Sequence, residues 1–212
     1  MKIFTADYRL LAELRGGSLS SFEPLSISDC HLRADNALIN SGKYLYQPEW
    51  VDGYGYTPAL LLRLEKVAKS VEAQFVPRYV KQAKVGILLG ADTVSDVPDS
   101  FSYQFDDSIV LGQMEWEDVD EVITALPDIS IYEIRGTVKD VVRVQEVISC
   151  PTRAEMDRYV SLLSHYFMLK IGDLVVIPLW SAYKPLPQGH DLMVGLREGA
   201  DPELELVYCG IR

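Results

Sequence analysis

Cysteine is scarce in this chain: Cys30, Cys150 and Cys209 are 3 among 212 residues, and none belongs to a Cys-x-x-Cys pair. That excludes a zinc knuckle or a disulfide framework as the organising device. Buried or free thiols in a reducing compartment are the expectation. Histidine is as rare, and His31, His165 and His190 stand at no metal-ligand spacing. Ser164 and His165 do not form a nucleophile and base, because neighbours on a helix point about 100° apart. His31 and Cys30 would point to opposite faces of a strand. Long apolar runs are missing too: stretches such as 86–91 and 174–180 fall far short of the roughly 20 residues that span a bilayer. Residues 1–8 show neither the apolar core nor the cleavage site of a secretory leader, so a cytoplasmic protein is expected. Positive charge is also short, with 20 Lys and Arg against 31 Asp and Glu, a net charge of -11. Such a surface repels phosphate backbones and anionic lipid, which argues against nucleic acid or a membrane as partner. No repeat, low-complexity tract or linker divides the chain, so 1–212 reads as a single domain.

What is present is an ordinary globular balance of 48% hydrophobic and 24% charged residues, which is enough to build a core. Residues 30–50 read as strand, turn, strand, with Gly42 placed for a positive φ. Residues 60–64, 85–90, 108–112, 129–135, 138–144 and 174–177 read as strands. A short helix is expected over 10–15 and another over 72–82, the latter limited by Pro77. Residues 117–126 carry Val119, Val122, Ile123 and Leu126 at helical spacing, a core stripe rather than a cofactor surface. The clearest helix is 152–167, where Thr152 and Glu155 form a capping box and Met156, Tyr159, Val160, Leu163 and Phe167 form the apolar face. Many strands with few, irregularly placed helices predict a mixed, β-rich α/β domain.

Several blocks, in order along nearly the whole chain, resemble the fumarylacetoacetate hydrolase (FAH) family, of the short bacterial C–C hydrolase and isomerase type. RADNALI at 33–39 resembles the family's Lys-Pro-x-Ser/Thr-Ala-Leu segment and runs on through Gly42 and Lys43 to Pro48-Glu49-Trp50. Residues 54–64 stand where the family has Tyr-Glu-x-Glu-Leu-Val-Val-Arg. VGILLGAD at 85–92 resembles the strand bearing its third metal carboxylate, FDDS at 105–108 its Phe-Asp-x-Ser element, and LLSHYFMLKIGDL at 162–174 its Gly-Asp-Leu segment. The resemblance implies a rolled mixed β-sheet with a few helices, commonly as a homodimer. It also implies a divalent ion, magnesium or manganese, chelating an oxo-acid substrate through carboxylate oxygens.

Against that pattern the site residues have changed. The family's paired glutamates fall on Thr57 and Ala59, bracketed by Tyr56 and Arg63, and Pro58 is expected to distort the strand between them. Asp92 keeps the third position, so Thr57, Ala59 and Asp92 are expected to cluster while holding no metal. Gln104 replaces the family's lysine and cannot transfer a proton near neutral pH. Leu11 stands at the lid histidine, in a vestigial lid at 1–20 that also carries Tyr8 and Glu13. The segment from Asp92 to Gln104 is short for the family. Its Thr-Gly-Thr-Pro loop becomes 177–180, ending in Leu179 and Trp180. The expectation is no metal cofactor and a non-catalytic binding or partner protein, pairing with itself or with an active paralogue. The second reading is a metal-independent enzyme on a small oxo-acid, using Tyr8, Tyr56, Asp92 or Gln104. A plug of Leu179, Trp180 and Tyr183 would favour the first and an open polar pocket at Asp92 the second.

Overall fold

The computed structural model describes residues 1–6, 30–93, 99–112, 115–135, 141–144, 151–180, 183–187, 189–195 and 207–211. The expected helix at 10–15, Tyr8, Leu11, Glu13 and Cys150 lie outside them. In chain order the strands are β1 (Ile3–Ala6), β2 (Cys30–Arg33), β3 (Leu38–Asn40), β4 (Lys43–Leu45), β5 (Val51–Leu64), β6 (Val80–Thr93), β7 (Ile109–Leu111), β8 (Glu117–Asp118), β9 (Ser130–Arg135), β10 (Val141–Val144), β11 (Leu174–Pro178), β12 (Lys184–Leu186), β13 (His190–Gly195) and β14 (Val207–Ile211). The α-helices among the described residues are α1 (Val119–Ala125) and α2 (Arg153–Tyr166).

The larger sheet runs β2-β1-β11-β5-β6-β7-β3, with β12 beside β5 and β8 beside β6. Its pairs are antiparallel except β1–β11 and β3–β7. The order forces the shape. Laid flat, β2 and β3 would stand about 29 Å apart at the usual spacing of strands. The chain from Arg33 to Leu38 can reach at most about 18 Å. The sheet therefore curls until its edges approach, which is the rolled, β-rich architecture expected from the sequence. A second sheet, β10-β9-β13-β14-β4, packs against it.

Alternation along β5 and β6 separates two cores. Tyr54, Tyr56, Leu60, Leu62 and Leu64 face the large outer core, which they share with the second sheet and α2. Ala59 and Leu61 face the other way. They join Ile3, Ala37, Leu88, Ile109, Leu174 and Val176 inside the roll. Both faces are buried, so the apolar run at 60–64 needs no polar side, and each buried leucine contributes about 2 kcal/mol.

Pro58 does not distort β5. The ladder to β6 runs unbroken past the Pro58–Ile87 pair, and its irregularities lie at Val51/Gly53 and Arg63/Leu64. The Pro58 carbonyl accepts from the Leu179 N–H at 2.8 Å. A residue's N–H and C=O point to the same neighbour, so the missing donor faces the end of β11, where the chain departs, and costs no bond to β6.

The capping box of α2 forms as read: the Thr152 hydroxyl accepts from Glu155 N at 3.3 Å, and Thr152 N donates to Glu155 Oε2 at 2.6 Å. Met156, Tyr159, Val160 and Leu163 are buried as expected, while His165 is exposed. The helix expected over 72–82 is a 3-10 turn, Ala73–Arg78, because Pro77 removes a donor and Gln82 already belongs to β6. Gly42 has φ +85° in its turn. No helix among the described residues is long and apolar enough to cross a membrane.

Candidate functional site

The register fixes where each expected site residue stands. Thr57 pairs with Leu88, Ala59 with Gly86, and Asp92 with Gly53. All of these project into the roll, by alternation from Ala59 and Leu88. Asp92 nonetheless lies four residues beyond Thr57's level, about 13 Å along the strands. Thr57, Ala59 and Asp92 therefore do not cluster, contrary to the expectation from sequence. Thr57 is buried, and its hydroxyl donates to Pro58 O at 3.1 Å and accepts from Trp180 N at 3.3 Å. Ala59 is fully buried in apolar packing, and Asp92 is exposed. Gly53 stands level with Asp92 and Gly55 with Gly90, and neither Gly53 nor Gly55 has a side chain to offer a cation.

The space above those glycines is taken. A Cβ added at Gly55 would lie 2.9 Å from Tyr183 Cβ, and one at Gly90 would lie 3.3 Å from the Tyr183 ring. Tyr183 thus packs on bare backbone where the roll opens toward Asp92. Tyr103 follows at 6.5 Å between centroids and stacks on His31 at 4.8 Å and 12°. Near the Tyr183 and Tyr103 phenols sits Arg33, only 2% exposed. It pairs with Ile3 across β2 and β1, which aims it at the interior of the roll. Burial pulls its guanidinium down to about 10, and the nearby phenols of Tyr183 and Tyr103 oppose that shift. It is therefore still a cation at neutral pH. Tyr183 is close enough to favour the charge, yet Nε, Nη1 and Nη2 have no protein acceptor in hydrogen-bond geometry.

Leu179 and Trp180 are buried on the outer side of β5. Trp180 packs on Tyr56 at 5.4 Å, with Lys184 over its face at 5.5 Å. Tyr56 donates to Glu133 at 3.0 Å, and His190 Nδ1 lies 3.9 Å from the same carboxylate. Tyr56 and Trp180 therefore stand on the opposite face from Asp92 and tie the two sheets together. Gln104 joins Lys2, Leu32, Arg33, Asn36 and Asp106 around a depression of about 440 Å³.

These residues do not fit a divalent metal. A hard cation wants several carboxylate oxygens converging. Asp92 faces Gly53 alone, and no group of three His, Cys, Asp or Glu side chains suited to an ion is formed among the described residues. Sequence reasoning named Tyr183 as part of a plug, but it missed Arg33 with Tyr103 and His31 as its companions. The one available signal was a strand-end arginine in RADNALI, whose burial depends on the curl that brings β2 toward β3.

No sequence-family model matches the chain, and no curated protein matches it. Solved structures do. The chain is similar to 5-carboxymethyl-2-hydroxymuconate delta-isomerase from Mycobacterium smegmatis, with 15% identity over 99% of this chain and 76% of that one and a TM-score of 0.66. It is similar to fumarylpyruvate hydrolase from Pseudomonas aeruginosa, solved with Mn2+ and pyruvate, with 17% identity over 100% and 89% and a TM-score of 0.62. A Yersinia pestis protein assigned to the fumarylacetoacetate hydrolase family matches with 16% identity over 100% and 93%, and a TM-score of 0.66. The fold is that of the FAH isomerases and hydrolases, and the resemblance read from the sequence is met at the level of fold.

Proposed function

We propose that this chain is a non-catalytic member of the FAH fold, a binding or partner protein that works without the metal-dependent chemistry of its structural neighbours. One observation supports this most: the paired strand carries Gly53 level with Asp92 and Gly55 on the same face two residues on, and Tyr183 fills the space above Gly55 and Gly90. A single exposed carboxylate leaves a dication most of its waters. Nothing at Gln104 replaces the proton chemistry of a lysine. The resemblance also supports a homodimer, or pairing with an active paralogue.

The test is titration calorimetry with magnesium and manganese, together with turnover of oxaloacetate and acylpyruvates. No metal should bind more tightly than about millimolar, and no acid should be consumed near 1 per second, an ordinary enzyme rate. A micromolar metal site, or such turnover with metal, would sink the proposal. Turnover without metal would instead support an altered enzyme on a small oxo-acid, the reading that the cationic Arg33 beside Tyr183 favours.

A further inference from the structure

The end of the roll far from Asp92 is built differently from the end that Tyr183 fills. β5 ends at Leu64, and β11 and β1 begin beside it in register, so 65–71 and 167–173 emerge together. They stand about 35 Å along β5 from the level of Asp92. Both segments are fastened down. Ala68 and Leu169 are buried and exchange two backbone bonds of 3.0 Å. The Gly172 N–H donates to Leu64 O and the Ser70 N–H to Ser164 O, each at 2.8 Å. By alternation about the Ala68–Leu169 pair, Val67 stands beside Lys170 and Lys69 beside Met168, on the side facing water.

The side chains this corner shows to water combine apolar surface with positive charge. Ile171 is 67% exposed, and Val67 and Met168 are each more than half exposed. Ile171 stands in the turn at 170–173, which the Asp173 N–H closes on Lys170 O at 3.0 Å with Gly172 at φ +84°. Such a corner takes a polar residue equally well, so the backbone does not require isoleucine there. Single exposed apolar side chains are ordinary, but these together expose on the order of 300 Å², the size of the largest patch on many monomers and often functional. Lys66, Lys69 and Lys170 are exposed around them. Lys69 Nζ reaches the His165 carbonyl at 3.1 Å, and no carboxylate pairs with any of the three among the described residues. Glu65 is half-buried, Glu72 accepts from Gln74 at 2.7 Å, and Asp173 is buried within its own bonds. On a chain of net charge -11, this corner is cationic.

Charge selects the occupant. A symmetric contact between two copies would set the face on itself and bring lysine against lysine. An anionic lipid surface gains about 1 kcal/mol per lysine, roughly 3 kcal/mol here and weaker than millimolar affinity, and it repels the acids on the rest of the chain. A protein segment with apolar side chains flanked by Asp or Glu meets both features at once: it covers the patch and pairs the lysines. We infer that the corner formed by 65–71 and 167–173 is the docking surface for an acidic, amphipathic segment of a partner protein, with Ile171, Val67 and Met168 as the apolar anchors and Lys66, Lys69 and Lys170 as the rim. This deepens the proposed function and rests on its reading of the chain as a partner protein.

The experiment uses the full chain with a synthetic amphipathic peptide of repeating Glu and Leu, the same peptide with Lys in place of Glu, and vesicles with about one anionic lipid in four. Calorimetry with the Glu peptide should give a dissociation constant of about 10–100 μM at low salt. Ile171→Asp should weaken it at least about tenfold, the loss of a central anchor. Lys66→Glu with Lys170→Glu should weaken it at least about fivefold and flatten its salt dependence. Tyr46→Ser, at the most exposed aromatic residue of the Asp92 end, should leave it unchanged. All of these positions are exposed, so the fold should survive, and circular dichroism checks that it does; if Ile171→Asp fails to fold, the lysine pair carries the test. No binding of the Glu peptide, equal affinity in the variants, or equal binding of the Lys peptide would each overturn the surface. So would vesicle binding that Ile171→Asp abolishes, which would make the occupant a membrane, or a dimer that Ile171→Asp splits, which would make it a second copy. Metal-dependent turnover with the peptide isotherm intact would overturn the non-catalytic reading alone, whereas loss of the isotherm would leave the metal and turnover results as they stand.

Discussion

Two buried charges flank β1, and the molecule treats them in opposite ways. Asp173 is 1% exposed and Arg33 is 2% exposed. Asp173 accepts from Lys2 N at 2.8 Å through one oxygen and from Lys170 N at 2.8 Å through the other. Arg33 has no acceptor of that kind, only the phenols of Tyr183 and Tyr103 nearby. They do not pair with each other although Ile3 is bonded in register to both Arg33 and Leu174. The reason is geometric. Leu174 faces the interior of the roll with Ile3 and Arg33, so its neighbour Asp173 points to the other side. A charge whose acceptors or donors are all met holds a corner of the fold together. A charge met only by neighbouring phenols in the same sheet costs stability instead, and that contrast separates the two sides of β1.

The largest expected effect comes from the satisfied charge. Asp173→Asn keeps one acceptor but turns the other atom into a donor facing a donor. It should cost about 3 kcal/mol, the range for breaking buried hydrogen bonds to a charged group. Urea unfolding monitored by circular dichroism measures this directly. A cost under 1 kcal/mol would show that the corner relaxes easily and would erase the contrast.

Arg33→Met should move stability the other way, by about 2 kcal/mol in favour of the folded state, because it removes a buried cation without orphaning a partner. The sign has a pH signature. Burial holds Arg33 at about 10 in the fold, below its value in the unfolded chain. The unfolded chain therefore binds more protons between those values, and stability of the unmutated protein gains as pH rises through that window. Below pH 10 the penalty is present in full. The advantage of Arg33→Met should accordingly be constant from pH 7 to 9 and shrink above 10. A destabilised Arg33→Met would mean the guanidinium is part of the scaffold after all.

The sequence carried much of the scaffold and little of the site, for physical reasons. Local signals survived folding: Thr152 and Glu155 are three residues apart, so their capping box needs no knowledge of the rest of the chain. The turn at Gly42 is local in the same way. The long strands were only half visible. Gly53, Gly55 and Pro58 look like breaks, yet β5 runs through all three because β6 supports it from one side and the neighbour changes at Pro58 on the other. The clustering of Thr57, Ala59 and Asp92 failed for a related reason. Spacing along one strand puts Thr57 and Ala59 on one face, but only the register with β6 decides which of its residues stands opposite. The burial of Arg33 was invisible because it is a property of the curl and not of any segment.

The smallest expected effect asks what satisfies Asp173. Lys2 reaches it twice, through its backbone N–H at 2.8 Å and through its ammonium at 3.7 Å, with the lysine side chain 35% exposed. The ammonium also donates to Met168 O at 2.6 Å. An ion pair that open to water is screened, and Lys2→Met should cost only about 0.5 kcal/mol. The substitution leaves the backbone N–H in place, so Asp173 keeps both of its short bonds. The loss should shrink further in roughly 0.5 M salt, where the screening length falls to a few ångströms, while the Asp173→Asn cost should not change. If Lys2→Met instead costs as much as Asp173→Asn, the side-chain cation and not the backbone satisfies the aspartate. Arg33 and Asp173 would then differ only in having found a partner side chain, and an acid introduced beside Arg33 should stabilise the fold as Lys2 does beside Asp173.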